Sequence, residues 1–457
     1  MNSDKLHIND LPDEVLRHIF AFRPQLESRK PLSLVCRRWN DVAFDYSYLG
    51  HIKLNWMLGM DSVKKQHKIL RCYRIVHLRC MLHGILDEAD AEEIVALFEN
   101  PSSTLQEFVY NEASRGSLAL KLLFKCPHVK KVYLPAVEDV PDDKLPVLNE
   151  LEELVIPSMS KFNIIHLAPN LRKLEARNDL YDLPMAIQKL PLEHLQVNLT
   201  FFSADLFQKS SNTTKLTTVE LLGGYIDQKS LEQLCRVCPL LTKLRVCVRS
   251  KSTSLQCLAS LTYLKVVGLH DVSNELFANS DVCLSSVETV ELDLTRRLHF
   301  GEYLQQIFPS VHHLKFTYSA SALDWDLIEE IGIISNGFPH LKTLEYSQLG
   351  QSFPLELLEG LSDLRELIVN NAQLSGSDFP PMTIEQLTLK ECELVVTDEM
   401  EHNLPNLQFL NLHGIVRITD AEKLPSSCTI RRFGRNRSDI CGIRDKSAIF
   451  GHFKPFK

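Results

Sequence analysis

One apolar rhythm constrains this chain more than any other feature. From residue 49 onward it repeats L-x-x-L-x-L, with an aliphatic or aromatic side chain at each L. The starts are Leu49, Tyr73, Leu105, Val129, Leu151, Leu171, Leu192, Leu216, Leu241, Leu261, Val287, Val311, Leu341, Leu364, Ile384 and Leu407. These sixteen starts, from 49 to 407, leave fifteen intervals that average about 24 residues. Alternation with period two makes a short strand with one buried face. The residues between starts return as helix or turn, as in 87–99, 117–124, 229–237, 301–308 and 326–335. Cys126-Pro127, Cys238-Pro239, Phe308-Pro309, Phe338-Pro339 and Leu404-Pro405 each precede a strand, where proline ends a helix and starts an extended run. A unit of this size closes no core alone; it buries its inner face by stacking on its neighbours. A degenerate seventeenth start (Ile430, Phe433, Arg435) has Arg at its last apolar position, as expected of a terminal cap.

The segment before the repeats has a different period. Val15, Leu16, Ile19 and Phe20 form one helical stripe, and Leu32, Val35, Cys36 and Trp39 a second. Asp10 is the expected N-cap, with Pro12 in the first turn and Pro31 opening the second helix. Two such faces on so short a unit need a partner, inside the chain or outside it.

This segment resembles an F-box: Leu11-Pro12, Glu14, Ile19-Phe20 and Val35-Cys36-Arg37-Arg38-Trp39 stand at that motif's characteristic positions. Arg23, where an apolar residue usually closes the first helix, and Tyr48-Leu49, which lacks the tryptophan often found there, depart from it. The helix–CP/FP–strand grammar that follows resembles the leucine-rich repeats of F-box/LRR proteins. The resemblance implies an α/β fold, a helical F-box followed by a curved leucine-rich-repeat solenoid with parallel strands on its concave face. The expected domains are an F-box at 6–48, about sixteen repeats over 49–427 and a basic C-terminal cap at 428–457. It also implies a partner, a Skp-family adaptor and through it cullin and RING subunits. The residues expected to meet the adaptor are Leu11, Pro12, Val15, Leu16, Ile19, Phe20, Leu32, Val35, Cys36 and Trp39.

Composition narrows the function classes. The net charge is −8, from 50 basic and 58 acidic residues, which argues against a general nucleic-acid or membrane binder. No apolar run approaches the ~20 residues that cross a bilayer, and the N-terminus has no basic n-region or apolar h-region. The twelve cysteines lack paired spacing and read as reduced thiols of the cytosol or nucleus. Sequons at Asn198, Asn212 and Asn436 match chance frequency. There is no phosphate-binding Gly-rich loop, G-x-S-x-G or H-E-x-x-H, so no cofactor and no catalytic residue is expected. Cys235-x-x-Cys238 reads as inner packing rather than a metal site, and His312-His313 place their rings on opposite strand faces.

The positions between the inner apolar residues point outward. Three zones are expected there: an apolar patch at Val109, Tyr133 and Val155, a charged stripe at Lys243, Arg245, Lys265, Glu291 and Asp293, and a neutral C-terminal end. The stripe reads either as a solvated face whose charges pair or as a grip for an acidic or phosphorylated target. Residues 428–457 carry eight basic and two acidic residues. Arg431, Arg432, Arg435 and Arg437 read as a plain solvated cap, a nuclear-import signal or an anion-contacting cap. Candidate target-binding residues are therefore Tyr133, Val155, Lys243, Arg245, Lys265, Arg431 and Arg435. The leading expectation is a non-catalytic substrate-recognition subunit of an SCF-type ubiquitin ligase; a non-degradative LRR scaffold and a ligand-gated receptor are the alternatives.

Overall fold

The computed structural model describes residues 8–21, 31–32, 34–43, 53–58, 75–80, 92, 94–96, 104–110, 116–134, 145–156, 163–176, 183–198, 206–207, 213–248, 253–270, 272, 274–278, 280–294, 301–318, 334–352 and 355–433. It divides into two compact units, Met1–Thr200 and Phe201–Lys457.

The first unit begins with a 3-10 turn, Ile8–Asp10, and helix α1, Asp13–Ala21. Asp10 was the expected N-cap, yet the helix begins three residues later. The first intrahelical bond runs from Leu16 N to Pro12 O (3.1 Å), so Pro12 sits at the cap and not inside the turn. Pro31 and Leu32 are helical, but the chain then turns through Leu34 and Val35, with i→i+3 bonds of 3.2 and 3.3 Å, before helix α2, Arg37–Ala43. The second stripe is therefore broken, and the inner face passes from Leu32 to Trp39, Val42 and Ala43.

Seven strands follow in this unit: β1 (Lys53–Leu58), β2 (Ile75–Cys80), β3 (Glu107–Tyr110), β4 (Lys131–Tyr133), β5 (Glu153–Ile156), β6 (Lys173–Ala176) and β7 (His194–Asn198). Each pairs in parallel with the next in chain order. The second unit holds β8 (Thr218–Ile226), β9 (Lys243–Val248), β10 (Val266–His270), β11 (Thr289–Leu294), β12 (His313–Tyr318), β13 (Thr343–Ser352), β14 (Glu366–Ser375), β15 (Gln386–Lys390), β16 (Glu393–Val395), β17 (Phe409–His413), β18 (Arg417–Thr419) and β19 (Thr429–Phe433). Its main parallel ladder runs β8 to β15, then β17 and β19. The far half of β14 pairs with β16, and β16 with β18, adding a second short ladder that the sequence reading did not anticipate. Leu374, Leu394 and Ile418, all buried, are its inner residues. Each unit is thus an open parallel sheet stacked repeat by repeat, as a leucine-rich-repeat solenoid is.

The apolar rhythm becomes the core. Phe108, Val132, Leu154, Leu174 and Leu195 in the first unit are essentially solvent-free, as are Val219, Leu244, Val267, Val290, Leu314, Leu344, Leu367, Leu387 and Leu410 in the second. Each such side chain contributes roughly 1.5–3 kcal/mol by burial. Helices α3 (Gly116–Leu123), α4 (Gln228–Val237) and α5 (Glu302–Ile307) return the chain to the next strand. Asp227 caps α4, its carboxylate accepting from Ser230 N at 2.8 Å. The Cys-Pro and Phe-Pro pairs make the helix-to-strand corner. Cys238 N donates to Leu234 O (2.9 Å), closing the helix, and Cys238 O accepts from Leu241 N (3.3 Å), opening the turn. Phe308 does the same with Leu304 and Val311 (2.8 and 3.3 Å). The proline between lies where no amide proton is needed.

Register corrects three starts. Leu54 and Trp56, not Ile52 and Leu54, stand opposite Val76 and Leu78. Val267 and Leu269 stand opposite Leu244 and Val246, so the tenth repeat starts at Leu264 and not at Leu261. Ile430 stands opposite Leu410 and Arg432 opposite Leu412, so the terminal Arg at an inner position is Arg432, not Arg435.

Candidate interaction surfaces

In the F-box-like segment, Leu16, Phe20, Trp39, Val42 and Ala43 form one closed cluster with Leu11 and Leu32 packed against it. Phe20 and Trp39 meet with ring centroids 5.2 Å apart. The ten residues expected to meet an adaptor therefore fall into two sets. Leu16, Phe20 and Trp39 are core, and Leu11 and Leu32 are half-buried against it, so these five shape the unit from inside. Pro12, Val15, Ile19, Val35 and Cys36 are exposed, and Val15, Ile19 and Val35 keep 41%, 38% and 56% of their surface in solvent. Helical geometry puts Val15 and Ile19, four residues apart, on one flank of α1. Ile8 and Leu34, at 42% and 85% exposure, are further apolar side chains left open in this segment that the sequence reading had passed over.

Arg38, a motif position outside the ten residues expected to meet the adaptor, is the pin of this unit. Its guanidinium donates to Asp13 Oδ1 (2.8 Å) and to the carbonyls of Asn9 (2.5 Å) and Leu11 (2.6 Å). Trp39 Nε1 donates to Asn9 Oδ1 at 2.9 Å. Together they fasten the entry of α1 to the start of α2. Cys36 caps α2 from outside, its sulfur accepting from Trp39 N at 3.4 Å. Asp13, Arg17, Arg37, Arg38, Asp41 and Val42 line an open cleft of about 380 Å³, so a charged flank accompanies the apolar one.

In the first unit's sheet, Val109, Tyr133 and Val155 are register neighbours on β3, β4 and β5. Val109 and Tyr133 are half-buried and Val155 is 8% exposed, which leaves a shallow apolar strip. In the second unit, the open-face row reads Glu220, Arg245, Gly268, Glu291, Lys315, Glu345, Ile368, Thr388, Asn411 and Arg431. The expected stripe had Lys265 beside Arg245. The register puts Gly268 there instead, because the strand begins three residues later, and Lys265 lies before β10, paired with Glu288 at 2.5 Å.

Gly268 decides the electrostatics of this row. A Cβ on it would lie 2.4 Å from Arg245 Cγ, so the arginine stem crosses bare backbone and reaches Glu291 on β11. On its other side Arg245 meets Glu220 at 3.2 Å, and Lys243 meets Glu220 at 2.6 Å. Burial pushes the Glu220 carboxyl up, but Lys243 and Arg245 outweigh it and hold its pKa below the usual carboxylate range. The pattern recurs at Glu345, which holds Lys315 (3.1 Å) and Lys390 (3.3 Å) and accepts from Asn370 (3.2 Å). Its pKa too is lowered, by the two lysines against burial. Lys243, Arg245 and Lys265 thus each hold a carboxylate, which favours the self-paired reading of the stripe over a grip for an anionic target. Arg431 and Arg432 lie on β19; Arg435 and Arg437 fall outside the described residues.

Cys235 and Cys238 are buried in the packing of α4, with Thr214 Oγ1 donating to Cys238 Sγ at 3.2 Å. Burial pushes the Cys238 thiol up to about 11. Among the described residues no group of three or more His, Cys, Asp or Glu is placed to hold a metal ion, and no helix is long and apolar enough to cross a membrane.

The comparisons with known proteins meet this geometry at its N-terminal part. The F-box-like family model matches residues 8–49. F-box DNA helicase 1 of Gallus gallus is 39% identical over 80 residues, covering 16% of this chain and 8% of that protein. The chain spans less than a tenth of that relative's length. Among solved structures, TLR13 in complex with ssRNA13 aligns with 86% of this chain and 54% of its own, at 14% identity and a TM-score of 0.43. A leucine-rich-repeat protein of Leptospira interrogans aligns with 82% of this chain and 99% of its own, at 16% identity and a TM-score of 0.30. The chain thus carries an F-box-like domain at residues 8–49, and in each unit its repeats stack as parallel strands in the manner of leucine-rich repeats, in the second unit as far as Phe433.

Proposed function

We propose that this chain is the substrate-recognition subunit of an SCF-type ubiquitin ligase. Its F-box docks on a Skp-family adaptor, which joins it to cullin and RING subunits, and its repeats hold a protein target. The observation that carries this reading is an apolar flank left open beside a closed core: Val15 and Ile19 are 41% and 38% exposed while Leu16 and Phe20 are sealed. A small unit with its own core already filled gains little by keeping such residues in water; a partner that covers them gains roughly 1 kcal/mol from each. The chain itself makes no bond. It raises the local concentration of a target's lysines near a conjugating enzyme carried by the complex. A cytosolic or nuclear location goes with this role.

The test is co-purification of the wild type and of Val15→Glu/Ile19→Glu, both exposed positions whose change leaves the core intact. The wild type is expected to recover adaptor, cullin and ubiquitinated partners, and the variant to lose the adaptor at least about tenfold, as buried unpaired carboxylates require. Failure of the wild type to recover any adaptor, or undiminished recovery by the variant, refutes the assignment. Adaptor without cullin makes the chain a non-degradative scaffold.

A further inference from the structure

The open-face cations of the second unit are not all alike. Lys243 and Arg245 share Glu220, and Lys315 and Lys390 share Glu345. Arg431, on β19 directly opposite Asn411, has no carboxylate partner among the described residues and is exposed. Its guanidinium lies instead on the Phe409 ring, 3.7 Å from the centroid. Stacking occupies the face of a guanidinium and leaves its edge of N–H donors open, already oriented. Two residues along the same strands, His413 and Phe433 stack at 4.5 Å with their planes 12° apart. Between the two stacks Thr388 and Asn411 are each 5% exposed, with Asn411 Nδ2 donating to Thr388 Oγ1 at 3.2 Å and Asn411 Oδ1 left without a partner. Arg432, on the same strand, is exposed too and likewise has no carboxylate partner among the described residues.

We propose that the open face at β17 and β19 binds an acidic segment of a protein partner, with Arg431 as a planar fork for one of its carboxylates. The aromatic stacks at Phe409 and Phe433 wall the segment, and the Thr388–Asn411 floor lies beneath it. The cations upstream on this face already hold carboxylates, so an anionic segment meets least competition at this end. The inference rests on the receptor reading and deepens it by naming the chemistry of what is received.

The experiment measures fluorescence anisotropy of a labelled hexaglutamate peptide, with hexaglutamine as control, against the full chain at low salt. Adaptor recovery is assayed in parallel. Hexaglutamate is expected to bind at least about tenfold more tightly than hexaglutamine, and Arg431→Ala to lose at least about tenfold. Arg431→Lys keeps the charge without the planar fork and is expected to lose at least about threefold. Arg365→Ala, an exposed cation already paired with Glu385, should stay within about twofold. No hexaglutamate binding by a wild type that still recovers adaptor overturns the site while leaving the receptor reading standing. So does an unchanged Arg431→Ala, or an Arg365→Ala that loses as much. Binding that depends on Arg431 in a chain that recovers no adaptor supports the site and ends the receptor reading.

Discussion

Gly268→Ala is the perturbation that most directly tests how the second unit's open face is built. Gly268 lies between Arg245 on β9 and Glu291 on β11, in register with both. Its backbone is ordinary strand, so alanine costs nothing in conformation and recovers roughly 0.5–1 kcal/mol of chain entropy. Space is the obstacle. The new methyl would meet Arg245 Cγ at 2.4 Å, Cβ at 3.2 Å and Cδ at 3.3 Å, so the stem must leave the strand and the guanidinium must leave Glu291. The side chains of Arg245 and Glu291 are 24% and 18% exposed, so the lost contact is a partly buried, charge-assisted one. Such a bond contributes about 1.5–3 kcal/mol. Setting the entropy gain against it leaves a net loss of about 1–2 kcal/mol. Glu220, only 9% exposed, keeps Lys243, which limits the damage to the Glu291 side. Because two compact units need not unfold together, amide exchange of the β9, β10 and β11 peptides is the suitable assay. Gly268→Ala should raise exchange there about tenfold. In an Arg245→Ala background only the Cβ at 3.2 Å remains, a contact that a shift of a few tenths of an ångström relieves, so the same alanine should be near neutral, giving a coupling of about 1–2 kcal/mol. Additive effects, or wild-type protection in Gly268→Ala alone, would refute the claim that the bare backbone exists to let Arg245 cross.

Two further outcomes are expected. Arg38→Ala removes an ion pair and two backbone contacts that are exposed (the Arg38 and Asp13 side chains are 41% and 43% exposed), so it should cost about 1 kcal/mol, read as faster exchange over 8–21 and weaker adaptor recovery. Glu366 has a raised pKa, from burial and the charge of Glu345 against the pull of Lys390, whereas Glu220 and Glu345 have lowered ones. A raised carboxyl costs stability once pH exceeds its unfolded value near 4.5; lowered carboxyls contribute stability above that value and lose it as pH falls through their folded pKa. Glu366→Gln, which keeps the acceptor that Gln386 uses at 2.8 Å, should therefore raise the second unit's melting temperature at pH 7 and have little effect below pH 4.5. Wild-type stability should fall as acid titrates Glu220 and Glu345, and a flat profile through that range would contradict the ion-pair geometry.

The repeat was legible because burial follows spacing. In most described repeats the Leu, Val and Phe of the inner row are where period two puts them, and the Cys-Pro corners are where proline can stand without an amide bond. What the spacing could not fix was frame in repeats with surplus apolar residues. Leu261, Leu264 and Val266 satisfy the pattern as well as Leu264, Val267 and Leu269 do, yet only the second set meets Leu244 and Val246 across the ladder. A three-residue slip exchanges the faces of a strand, and so it put Lys265 where Gly268 stands. The partner of Arg245 was thereby misread: not a neighbouring lysine that adds positive charge, but an absent side chain that lets a carboxylate two strands away cancel it. The second ladder through β16 and β18 was missed for another reason: three-residue strands are too short for alternation to register.

The N-terminal segment marks a different limit. Val15, Leu16, Ile19 and Phe20 are one apolar stripe to any periodicity argument, but α1 turns 100° per residue, and the stripe is wide enough to serve two neighbours. Leu16 and Phe20 take the inner half against Trp39, while Val15 and Ile19 take the half that faces solvent. Sequence assigns the stripe to a partner as a whole; packing divides it. Substitutions at the two halves must then fail in different ways. Phe20→Ala empties a sealed site and should cost about 3–5 kcal/mol, losing adaptor recovery and the fold of the unit together. Val15→Glu/Ile19→Glu should lose the adaptor while amide protection over 8–21 and 34–43 stays as in the wild type. If both variants unfold the unit alike, the open flank is structural, and the surface on which the ligase reading rests is not a docking face.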